Sequence, residues 1–199
     1  MAMVPTLENI ENPESQPCGG DRFIRVPLCR QETEYTCGVT CVQSILGYYG
    51  FDYRQDELAL IMESKPILGT DHQKILLFMR MLGFEASSVT NMTIDDLKDY
   101  INNGVTPILK IQAWAESSVD YASDWKDSHY VIACGYDGNL IYFMDPWTLG
   151  NYTYLPAEEL QKRWHVPDVH FGRCYGSGLI IKKEPPPFLY DPSVVKYLG

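Results

Sequence analysis

The stretch SHYVIACGYDGNLIYFMDP, residues 128–146, decides how this chain folds. Two runs of β-branched and aromatic residues flank turn-forming Asp137, Gly138 and Asn139, the pattern of a β-hairpin. A three-residue loop of Tyr136, Asp137 and Gly138, with Gly138 left-handed, is the expected connection. In that register Ala133 faces Ile141, Val131 faces Phe143, and His129 faces Asp145. Directly opposed residues share a face, with Cβ atoms about 4.5–5.5 Å apart. A carboxylate so placed can accept an imidazole N–H, fix the tautomer and steady the imidazolium. A two-residue turn would break the alignment. Between His129 and Asp145 the only charged residue is Asp137, in the turn. His129 alone reads better as a hydrogen-bonded strand-end histidine; Asp145 across from it puts function ahead.

Upstream, QETEYTCG at residues 31–38 precedes a run whose apolar residues Val39, Val42, Ile45, Leu46 and Tyr49 recur at helical spacing, closed by Gly50. Thr36 is the expected N-cap. Cys37 then starts the helix, where free backbone N–H groups and the positive end of the macrodipole favour a thiolate. Gly38 is expected to let a substrate backbone approach. Gln31, six residues before Cys37, can bring its amide beside the Cys37 N–H as a second oxyanion donor. A cysteine opening a helix is more often simply buried, so the argument needs the whole constellation.

Further helices are expected over 54–64, 71–82, 94–102 (after Thr93) and 157–164. Strands are expected over 23–28, 107–114, 130–136, 140–144, 152–155 and 178–182. Helices first and strands second give an α+β class, a helical subdomain facing an antiparallel sheet. The expected organisation is an N-terminal arm at 1–22, one domain at 23–183, and a Pro-containing tail at 184–199.

Composition narrows the function. The 199 residues are 45% hydrophobic, as a globular domain requires. Sixteen basic residues against 26 acidic ones give a formal charge of −10, with no Lys/Arg cluster, which argues against nucleic acid and anionic membranes. No signal-like start or spanning apolar run is visible, so a cytoplasmic protein is expected. Six cysteines show no zinc-finger spacing, and Cys41 and Cys134 read as buried apolar residues. His165 and His170, with Asp168 and Glu158, match no common ligand pattern and read as a solvated loop after Trp164. Neither metal nor cofactor is expected.

Gln-x₅-Cys-Gly before a helix, then His, strand, turn, strand and Asp-Pro, resembles the papain-like, double-glycine peptidases that process bacteriocins. The similarity runs from about Val26 to Lys182 and includes Gly69-Thr70 and Gly104-x-x-Pro107. It implies a cysteine peptidase, with Cys37 as nucleophile, His129 as base, Asp145 as its orienter and Gln31 as oxyanion donor. The implied partner is a peptide or protein. Thr36 stands where transporter-fused members commonly carry Asp, and no Gly-x₄-Gly-Lys-[Ser/Thr] motif is present, so a stand-alone member is expected. A preference for small residues is expected because Trp147, and with it Trp114, would crowd the cleft. Trp125 is a further candidate liner, and residues 115–127 are expected to overhang the site. Gly19-Gly20 invites autoprocessing, but the upstream Pro17, Glu14, Asn9 and Thr6 cannot form the apolar face of a leader helix. The rivals are an acyltransferase, transglutaminase or other amide hydrolase on the same triad, and a non-catalytic peptide-binding module.

Overall fold

The computed structural model describes residues 22–184, apart from 116, 117, 149 and 171. The expected arm and tail, and Gly19-Gly20, lie outside the described residues, save Arg22 and Glu184. Helix α1 (Cys37–Tyr48) is followed by α2 (Gln55–Ile61), α3 (His72–Met81), strand β1 (Glu85–Val89), α4 (Ile94–Asn102) and β2 (Ile108–Gln112). Strands β3 (Ser128–Asp137), β4 (Leu140–Met144) and β5 (Tyr152–Pro156) come next. Helix α5 (Ala157–Arg163) and strands β6 (His165–Asp168), β7 (Gly172–Tyr175) and β8 (Gly178–Lys182) complete the order. Six strands form one antiparallel sheet in the order β1-β8-β2-β3-β4-β5, and β6 pairs with β7 apart from it.

Helix α1 is the hub. It packs on β3 and on α2 and α3, and it is buried on almost every side, small polar residues included. Those polar groups are satisfied locally: Thr40 donates to the Thr36 carbonyl at 2.9 Å and Ser44 to the Pro27 carbonyl at 2.6 Å. Thr36 holds the N-cap position without a side-chain cap bond. Its hydroxyl is spent instead on Thr33 and Gln55, which tie the approach to Cys37 onto the start of α2. Thr93, by contrast, closes a full capping box with Asp96 at the start of α4.

The expected strand at 23–28 is reduced to one bridge, Phe23 to Gly135. Strand β1, of sequence EASSV, escapes sequence reading because it is a polar edge strand with only Ala86 buried. The stretch after Trp164 is no solvated loop. It forms β6 and β7, with His165 buried between Trp125 and Tyr175.

The hairpin register also departs from expectation, and the departure matters. The turn has two residues, Gly138 and Asn139, so Asp137 faces Leu140 and Tyr136 faces Ile141. Continued unbroken, that register would set Asp145 across from Ile132 and turn its side chain away from His129. A β-bulge at Cys134 intervenes: Gly135 pairs with Tyr142, but Ala133 pairs with Phe143. One further step sets Asp145 across from Val131, diagonal to His129 and on its face. The N-terminal segment holds this bulge, with Ile24 N–H donating to the Cys134 carbonyl at 2.7 Å and Tyr136 N–H to the Arg22 carbonyl at 2.9 Å. Only glycine fits at 135, where a Cβ would lie 2.5 Å from the Phe23 ring.

Candidate active site

Three elements converge on one buried imidazole. His129 stands near the start of β3, Asp145 just past the end of β4, and Cys37 opens α1. His129 Nε2 and Asp145 Oδ1 are 2.8 Å apart, and the same ring is hydrogen-bonded to the Cys37 thiol. With Nε2 committed to the carboxylate, the bond to sulfur falls to Nδ1.

Asp145 is held as tightly as the ring it holds. Its Oδ1 also accepts the Trp147 backbone N–H at 2.9 Å, and its Oδ2 accepts Trp114 Nε1–H at 3.0 Å and the Thr148 hydroxyl at 3.3 Å. The Asp-Pro-Trp-Thr sequence folds as a turn, Thr148 N–H donating to the Asp145 carbonyl at 3.1 Å. This is the self-bonded geometry that Asp before Pro favours. Sequence reasoning missed these three donors, although Asp-Pro was a legible turn signal.

Electrostatics follow from the contacts. Burial pushes the Cys37 thiol up, but the hydrogen bond and charge of His129 outweigh it, aided by the Tyr130 and Gly38 backbone, and hold it below the usual thiol value. Burial alone would depress His129; Asp145, and then Cys37, raise it to about 9. Burial would likewise raise Asp145, but His129, Trp147 and Trp114 keep it below the usual carboxylate range. Other thiols behave oppositely: desolvation lifts Cys29 to about 11 and pushes Cys41 and Cys134 well up. Of these four thiols Cys37 is the one held below its ordinary value.

The remaining sequence candidates separate. Gln31 is buried, its backbone N–H bound to the Pro146 carbonyl at 3.0 Å and its Nε2 donating to the Thr33 carbonyl at 2.8 Å. Its buried Oε1 has no hydrogen-bond partner among the described residues. Gly38 does not open room for a substrate on its Cβ side. A Cβ there would sit 3.0 Å from Tyr130 and 3.2 Å from Thr70, so glycine serves the packing of α1 on β3. Trp114 and Trp147 flank Asp145 with ring centroids 6.4 Å apart, both partly exposed, and Arg30 lies over Trp147. Trp114 has a left-handed backbone (φ 60°), rare for so bulky a residue. Trp125 packs on His165 and Tyr175, within the group around β6 and β7 and not beside Asp145.

A cysteine at a helix start, facing a histidine–carboxylate pair on neighbouring antiparallel strands, defines the class: a papain-like cysteine peptidase. Residues 23–166 match the Peptidase_C39 like family, and the chain belongs to that family. It is 27% identical over 135 residues to the transport/processing ATP-binding protein ComA of Streptococcus pneumoniae. That match takes in 67% of this chain but only 17% of ComA. The fold is shared with the peptidase domain of Streptococcus ComA, a bifunctional ABC transporter (TM-score 0.59, 20% identity, 79% of this chain and 98% of that one). A putative C39-like peptidase from Bacillus anthracis superposes at TM-score 0.63, with 17% identity, over 84% of this chain and all of the other. A double-glycine protease from an AMS/PCAT transporter, solved with its leader peptide, gives TM-score 0.59 at 19% identity over 81% and 94%. No helix of the described residues is long and apolar enough to cross a membrane.

Proposed function

We propose that Cys37, His129 and Asp145 hydrolyse a peptide or isopeptide bond through a thioester, with Gln31 as oxyanion donor. The observation that carries this is a single imidazole hydrogen-bonded to a thiol on one side and to a fully occupied carboxylate on the other. The Cys37 thiolate attacks the carbonyl carbon, His129 gives its proton to the departing amine as the C–N bond breaks, and water, deprotonated by His129, cleaves the thioester. The Cys37 N–H, in the first turn of α1 where amides lack helical partners, faces the developing oxyanion. Gln31 uses one amide hydrogen on Thr33 and keeps the second for that oxygen.

The substrate is a peptide with small, Gly-Gly-like residues before the cleaved bond, because Trp147 and Trp114 crowd the flank of the His129–Asp145 pair. Exposed Leu60, Ile67, Leu68, Leu77 and Met81, on α2, α3 and the turn between them, offer apolar surface to more distant parts of a peptide. The test is library profiling of purified protein against its Cys37→Ala variant. Cleavage after Gly-Gly that is absent in the variant is expected; cleavage only after large residues would remove the specificity. Acyl transfer to an added amine at the expense of hydrolysis would move the protein to the transferases. Trp147→Ala is expected to widen acceptance toward larger residues.

A further inference from the structure

Four ionisable side chains meet where the start of α3 faces the β6–β7 turn. His72 is 4% exposed. Its Nδ1 lies 3.1 Å from Asp168 Oδ2 and 3.7 Å from Asp71 Oδ1. His170 Nε2 lies 3.0 and 3.2 Å from the two oxygens of Asp71. One donor atom each from Asp71, His72 and His170 falls within 4.8 Å of the other two. Two separate His–Asp hydrogen bonds would account for each pair taken alone. They do not account for Asp71 standing near both imidazoles at once, with the two rings edge to face at 5.3 Å. Donors arranged tetrahedrally on bonds of about 2.0–2.2 Å stand roughly 3.3–3.6 Å from one another, and the His–Asp separations of 3.0–3.7 Å lie around that range, within a cluster no wider than 4.8 Å.

We propose that Asp71, His72 and His170 bind a divalent cation of the zinc type, with Asp168 Oδ2, outside that cluster of three but 3.1 Å from His72 Nδ1, moving in as fourth donor. Two imidazole nitrogens and two carboxylates suit zinc, whereas calcium and magnesium take oxygen ligands almost throughout. Their two negative charges balance the ion. Two neighbours must adjust. Lys110 Nζ, 3.5 Å from Asp168 Oδ2, also lies 5.2 Å from the Tyr130 ring centroid and can withdraw onto that face. Gln73 Nε2, 2.8 Å from His72 Nε2, must turn its amide so that Oε1 accepts the imidazole N–H while Nδ1 binds the ion. The ion would join α3 to the β6–β7 hairpin. Thr70, next to Asp71, packs on Gly38 and takes the Tyr130 hydroxyl at 3.2 Å, so the cation would brace the wall beside Cys37 without entering the chemistry.

The test uses the full chain with Cys37→Ala, which removes the thiolate that would compete for zinc at His129. Titration calorimetry with zinc chloride is expected to show one equivalent bound, and melting to shift upward with zinc but not with calcium or magnesium. His170→Ala, at a half-exposed position that leaves the core intact, is expected to weaken binding by more than the roughly 10–100-fold typical of losing an outer-shell partner. Asp71→Asn is expected to do the same. No zinc-dependent stabilisation, or binding indifferent to both substitutions, would overturn the site. Because every readout comes from a catalytically dead background, either result leaves the Cys37 mechanism where it stood.

Discussion

His129–Asp145 and His72–Asp168 are the same chemical pair, 2.8 and 3.1 Å long and nearly buried, yet one imidazole is held above its ordinary value and the other below it. The balance between burial and the groups around each pair makes the difference. His129 has a thiol on its far side, and Asp145 takes only neutral donors besides the imidazole: two N–H groups and a hydroxyl. The negative charge is therefore free to hold a proton on the ring, at about 9. Asp168 answers to His72 and to Lys110 together. Burial then lowers His72, Lys110 opposes Asp168, and the ring titrates below its ordinary value. A buried His–Asp pair is thus no catalytic signature by itself; burial works against the charged ring, and the groups that share the carboxylate help determine whether the ring keeps its proton.

The comparison can be broken most directly at the sulfur. Cys37→Ala is expected to lower peptide cleavage by about 10⁴-fold or more, to background, as when a nucleophile is lost. In the intact protein a mild alkylator is expected to add one equivalent of label at Cys37 before any other cysteine. Equal labelling of all accessible thiols would erase the contrast. Asp145→Asn is expected to cost up to about 10⁴-fold, less than loss of the thiol, because an amide oxygen can still accept from His129 and Trp147. Its NH₂ would then face the Trp114 N–H, donor against donor, so Asp145→Asn with Trp114→Phe should recover part of the loss. A double-mutant cycle in kcat/KM measures that coupling.

The pH profile sharpens the comparison further. Cys37 is ionised above its lowered value, and His129 stays protonated until pH rises through about 9. Thiolate and imidazolium therefore coexist between those limits, and kcat/KM should fall on the acid side as the thiolate is protonated and on the alkaline side near 9. The two limbs belong to the coupled pair. The smallest effect is expected at the second pair: His72→Gln should leave both limbs unmoved while costing about 1–3 kcal/mol in stability, the cost of an unpaired buried group. A shifted alkaline limb in that variant would mean that the two pairs are coupled.

The hairpin, the fourth helix at Ile94–Asn102 and the strands at 140–144 and 178–182 were legible because alternation and capping are local signals. Cys37, His129 and Asp145 were legible as a constellation for the same reason, each marking the end of a strong element. The register was not, because the bulge at Cys134 depends on Phe23 and Arg22, more than a hundred residues away in sequence. Trp114 and Trp147 were expected to face substrate; their ties to Asp145 emerge only once the strands are assembled. His170 finds Asp71 across 99 residues, a juxtaposition no local pattern encodes.

The bulge makes this peptidase sensitive to counting. Drawing Cys134 into the ladder would leave the composition of the hairpin untouched, yet it would rotate the carboxylate of Asp145 to the far side of the sheet. Deleting Cys134 outright would only close the bulge, with Asp145 still across from Val131. Loss of that one residue should thus be tolerated, and a residue inserted between His129 and Val131 lethal to activity. Arg22–Ile24, which touch no reacting group, keep the tally.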